Sequence, residues 1–103
     1  MAVRLIALYA TPEDPAAFDA HYRDTHAPIV NRYPGMLDMR LTRADGVAGR
    51  EPAFYLMSEM FFDSRADLDA ALESEPGVES GKDLRNFAGA GVTLLVIDDE
   101  SGF

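Results

Sequence analysis

Three of the four strand-like runs in this chain are apolar on both faces, yet only two segments carry helical patterning. Residues 3–10 place Val3, Leu5, Ala7 and Tyr9 on one side and Ile6, Leu8 and Ala10 on the other, after Arg4. Phe54–Phe62 (Glu59 apart) and Val92–Ile97 are likewise apolar on both sides. Met36–Arg43 instead alternates Leu37, Met39 and Leu41 with Asp38, Arg40 and Thr42. Successive side chains of a strand point to opposite faces, so these strands need cover on both. Two helices shield one face of a four-stranded sheet. The simplest second cover is another copy of that sheet, which predicts a homodimer packed sheet to sheet.

The first helix is expected after the start signal Thr11-Pro12-Glu13-Asp14-Pro15 and runs to about Arg32. Ala44–Ala53 is a loop rich in Gly, Asp and Pro. Ser64-Arg65-Ala66-Asp67 is a capping box for a short second helix through Leu68, Ala71 and Leu72, which Glu75-Pro76-Gly77 ends. Val78–Ala90 reads as polar loop with a brief helical turn at Leu84–Phe87. The order is βαββαβ: an α+β, ferredoxin-like antiparallel sheet with helices on one face, in a single domain spanning residues 1–103.

The first helix holds the residue with the most chemistry. At about 100° per residue, Phe18, Ile29, Tyr22, Tyr33, His26 and Val30 fall within one stripe roughly 120° wide. His26 therefore sits among apolar residues. His21 lies about 140° away from it and reads as a boundary residue. Pro28 disfavours helical geometry at Ala27, so a kink is expected just past His26. His26 is either a core histidine bonded to a carbonyl or tyrosine, or a general acid/base in a pocket between helix and sheet. Tyr22, one turn earlier, is an aromatic core residue or a hydroxyl donor to a substrate carbonyl. Glu59 shares its strand face with Tyr55, Met57 and Phe61. It either pairs with an arginine such as Arg4 or Arg40, or orients His26; strand phase alone leaves its face open. Tyr9, Met39, Met57 and Phe61 are candidates for lining a substrate pocket.

Composition removes several classes. The chain has no cysteine, so thiolate metal sites, iron–sulfur clusters and cysteine nucleophiles are out. A net charge of −9 argues against a nucleic-acid partner. No run reaches membrane-spanning length, and the apolar N-terminus reads as a strand rather than a signal peptide, so a cytoplasmic protein is expected. No glycine-rich phosphate loop follows the first strand, which speaks against a nucleotide. No metal site is expected either, because His21 and His26 point from different faces.

Phe18-x-x-His21-Tyr22-x-x-x-His26-Ala27-Pro28, followed by Tyr33-Pro34-Gly35, resembles the signature of the EthD family. Glu59-x-Phe61-Phe62-Asp63-Ser64, then Leu68 and Ala70-Ala71-Leu72, is similar to that family's second motif. The resemblance implies a dimeric α+β barrel, a fold shared with cofactor-free monooxygenases, polyketide cyclases and muconolactone isomerases. It further implies a small cofactor-free enzyme for a hydrophobic carbonyl compound, of isomerase, cyclase, dehydratase or monooxygenase type, with the position of His26 moving the proton. A non-catalytic binding or accessory protein for a partner oxygenase, or a haem-binding protein, are the alternatives it leaves.

Overall fold

The computed structural model describes residues 3–98. Strands β1 (Val3–Tyr9), β2 (Asp38–Arg43), β3 (Leu56–Phe62) and β4 (Val92–Asp98) form one antiparallel sheet in the order β2-β3-β1-β4. β1 lies between β3 and β4, so the most apolar strand is central. Ala7 pairs with Ser58 on one side and Leu94 on the other, and Ser58 pairs with Leu41. The same phase aligns Tyr9 with Leu56 and Val92, and Leu5 with Met60 and Val96. These rows form the helix-facing side. Leu56, Ser58, Met60 and Phe62 are buried there while Met57, Glu59 and Phe61 point the other way.

The first helical stretch is one continuous run of three parts: α1 (Pro15–His21), a π-helical turn (Tyr22–His26) and α2 (Ala27–Val30). Asp14 caps it, its Oδ1 accepting from Ala17 N–H at 3.1 Å, and Pro15 occupies the first turn where no donor is lost. The irregularity falls one turn before the place expected from Pro28. Pro28 has no N–H, and its ring crowds the carbonyl four residues back. The helix answers by widening: the Ala27 N–H reaches back five residues to the Tyr22 carbonyl. Gly35, at φ +74°, turns the chain towards β2.

Two expectations for the second half need correction. Strand β3 starts at Leu56, not Phe54, and residues 78–87 are not loop. Two helices stand there, α3 (Arg65–Glu73) and α4 (Glu75–Phe87). Ser64 caps α3 through Asp67 N–H, as its capping box requires. Ser74 then ends α3 and begins α4, its hydroxyl accepting from Gly77 N–H at 3.3 Å. Glu75-Pro76 is therefore a helix start, the position where proline is tolerated. Gly77 is required by crowding: a Cβ there would lie 2.1 Å from the Ala71 carbonyl oxygen and 2.5 Å from that of Leu72. The inward face of α4 carries Gly77, Ser80 and Asp83, with Leu84 and Phe87 packing on the core only near its end.

Candidate functional site

The site begins with the π turn. Residues five apart on an α-helix diverge by about 140°. An i→i+5 repeat brings such residues nearly into line. His21 and His26 are five apart, so the widened turn points both rings at α4. There they meet one carboxylate. His26 Nδ1 lies 2.9 Å from Asp83 Oδ2, and His21 Nε2 lies 2.9 and 3.0 Å from its two oxygens. Asn86 Nδ2 donates to Oδ1 at 3.0 Å. Phe87 packs against both rings, at 5.0 Å from His21 and 4.7 Å from His26. His21 is thus a partner of the site and not a mere boundary residue.

Charge and tautomer follow from this geometry. Burial raises the Asp83 pKa, but bonds from Asn86, His26 and His21 outweigh it and hold the carboxyl below its ordinary value. An ionised carboxylate can only accept, so each imidazole donates to it. His26 therefore carries its proton on Nδ1, and its Nε2 lone pair has no hydrogen bond among the described residues. Burial pushes the His26 pKa down against the pull of Asp83. The ring is neutral at pH 7, a base with an orienting partner.

His26 borders a cavity of about 70 Å³ between the helices and the sheet. Ala7, Ser58 and Met60 form part of its floor, and Tyr22, Val30 and Ser80 part of its cover. The Tyr22 hydroxyl and Ser58 Oγ are buried without hydrogen-bond partners among the described residues. Burial pushes the Tyr22 phenol up to about 12; the Ser58 and Tyr9 hydroxyls lie close enough to soften that rise without full hydrogen-bond geometry. Tyr33, also at the wall, bonds Ser80, which donates to the Gly77 carbonyl at 3.0 Å. The wall thus offers one base and two uncommitted hydroxyls in an otherwise apolar space. Among the described residues no cluster of three or more His, Asp or Glu is set to hold a metal ion.

The other expected residues divide by strand phase. Tyr9 lines the cavity, while Met39 faces the helices and packs against the core without reaching the wall. Met57, Phe61 and Glu59 lie on the opposite face of the sheet. Glu59 Oε2 accepts from Arg4 Nη1 at 3.0 Å, so within one chain it does not meet His26. Its expected place as the carboxylate beside His26 is taken by Asp83, which lies in the segment read as loop. A strand's period of two forces this: once Ser58 faces the helices, Glu59 cannot.

Sheet and helices define an α+β protein of the ferredoxin-like class. The chain belongs to the EthD family: residues 10–91 match the EthD domain. It is 36% identical over 98 residues to an uncharacterised 11.0 kDa protein from the thcB–thcC intergenic region of Rhodococcus erythropolis, covering 95% of both chains. An ethyl tert-butyl ether D (EthD) family protein from Bacillus halodurans is 46% identical, with a TM-score of 0.90 over 97% of this chain and 100% of that one. The hydroxynitrile lyase of Passiflora edulis shares the fold at 20% identity, with a TM-score of 0.78 over 99% of this chain and 96% of its own. No helix among the described residues is long and apolar enough to cross a membrane.

Proposed function

We propose that this chain is a cofactor-free acid–base catalyst for a small hydrophobic carbonyl compound, with His26 as the group that moves the proton. One observation carries the reading: His26 lines a cavity with its Nδ1 held by a buried carboxylate and its Nε2 without a hydrogen bond among the described residues. This is the arrangement that fixes a tautomer for proton transfer. Tyr22 is the donor to the substrate oxygen, since its hydroxyl is buried, unpartnered and one turn away. A hydroxynitrile lyase of the same fold supports the idea that this architecture can house small-molecule chemistry, without lending its residues.

The test uses a reaction any such site should catalyse: exchange of the α-hydrogens of butanone in D2O, followed by mass spectrometry. Positioned acid–base groups contribute about 10²–10⁴-fold. His26→Ala should lose about that factor while its circular dichroism remains that of the parent chain. Equal exchange by the two proteins removes His26 from the chemistry.

The proposed working form is a homodimer joined through the open sheet face. That face presents Ile6, Leu8, Met57, Phe61, Leu95 and Ile97 around the Arg4–Glu59 pair, and Leu95 is 42% exposed in the single chain. Met57, Glu59 and Phe61 then act at the interface and not at the substrate. Leu95→Arg would place an unpaired charge on that face, so light scattering at micromolar concentration should report a monomer. A dimer that survives the substitution must use another surface.

A further inference from the structure

The cavity under His26 meets the surface beside a glycine that the backbone does not need. Among its lining residues Leu72, Gly81 and Leu94 are exposed; they come from α3, α4 and β4. Leu94 is 55% and Leu72 37% exposed, so the rim is apolar and open. Gly81 stands inside α4, where glycine is less favourable than alanine. Four residues earlier Gly77 avoids a collision with two carbonyls, but a Cβ on Gly81 would meet nothing within 4 Å. Its φ is not positive either. What the absent side chain leaves is space at the rim.

Resting on the acid–base reading above, we propose that the gap beside Gly81 is the mouth of the cavity and that the substrate is a carbonyl compound with an unbranched apolar tail. The tail runs out between Leu72 and Leu94, and Gly81 sets the width that can pass. Size decides this. One water-sized group takes about 10–15 Å³ of such space, so a 70 Å³ cavity holds a carbonyl head and a few carbons. A longer molecule must cross the rim, where two exposed leucines receive it. The polar groups sit at the inner end, at His26, Tyr22 and Ser58, so the head goes in first.

The test is calorimetric binding of straight-chain methyl ketones, from butanone to 2-octanone, to the parent chain, Gly81→Ala, Gly81→Leu and His26→Gln. Each methylene buried at the rim is worth about 0.8 kcal/mol, an affinity gain of about fourfold. The parent chain should show that gain with chain length. Gly81→Leu should bind butanone within about twofold of the parent and lose about tenfold or more for 2-octanone. Gly81→Ala should melt higher, showing that the helix accepts a side chain there. Three results would overturn the proposal: no ketone binding, affinity independent of chain length, or Gly81→Leu following the parent across the series. A Gly81→Leu protein that changes its oligomeric state also overturns it, because a second copy then covers the rim. His26→Gln separates the two readings. Retained chain-length dependence with retained α-hydrogen exchange would refute acid–base action by His26 and leave the mouth standing.

Discussion

The Asp83→Asn protein is expected to lose about 10²-fold or more of the exchange activity that depends on His26, and to melt about 10 °C below the parent chain. Asparagine keeps the shape but offers one acceptor where the carboxylate offers two. It can take the proton of one imidazole and must face the other with its own N–H₂. Hydrogen bonds to a charged group are worth about 1.5–3 kcal/mol each against roughly 1 for neutral ones, so a loss of about 2 kcal/mol follows. A purely structural role would lower the melting temperature alone. The pH profile distinguishes the two. Burial already lowers the His26 pKa, and Asp83 opposes that. Removing the carboxylate should move the acid limb of activity to lower pH, and an unmoved limb would rule out a positioning role for Asp83.

The same variant should change how the fold responds to acid. His26 has a folded pKa below its usual 6.5, so the folded chain takes that proton later than the unfolded one. Its share of stability is complete above about pH 6.5 and is lost as pH falls through the folded value. Asp83, held below its usual 3.8, adds a second share, present above that pH and lost as pH falls through its own folded value. In Asp83→Asn the second loss disappears and the first deepens, which melting curves between pH 3 and 8 would show.

Gly77→Ala should be strongly destabilising, although it adds one methyl group inside a helix. Helix propensity alone would favour it by about 1 kcal/mol. The Cβ would stand 2.1 Å from one backbone carbonyl oxygen and 2.5 Å from another, and neither can rotate away. Helices α3 and α4 must separate, which overpacking data put at about 1–3 kcal/mol or more. Separation also carries Ser80 and Asp83 away from Tyr33 and the histidines, so binding at the cavity should fail with the fold. Melting temperatures of Gly77→Ala and Gly81→Ala are predicted to shift in opposite directions; a shift of the same sign in both would show that the contact with α3 yields.

The strands, the inward-facing position of His26 and the cap at Ser64 were legible because each rests on a local pattern. Period-two alternation marks a strand, a 100° stripe marks a helix face and Ser-x-x-Asp marks a start. The second half of the site was not legible, for two physical reasons. Helix α4 turns Gly77, Ser80 and Asp83 inward over its first turns, and its apolar inward residues, Leu84 and Phe87, come only near its end. The convergence of His21 and His26 depends on a π turn that ordinary helical geometry cannot anticipate, although Pro28 gave warning of some irregularity. The face of Glu59 was undetermined because β3 is apolar in both phases, and the packing of Ser58 under the helices decided it.

The chain contains two histidines, and both end on Asp83. Every imidazole resonance in its NMR spectrum therefore originates within a few ångströms of the cavity. One carboxylate ties the two rings together, so a change at either ring reaches the other through Asp83. A spectroscopist needs no site-directed label here: natural histidine signals, free of background, can follow ligand arrival and proton uptake beside the cavity.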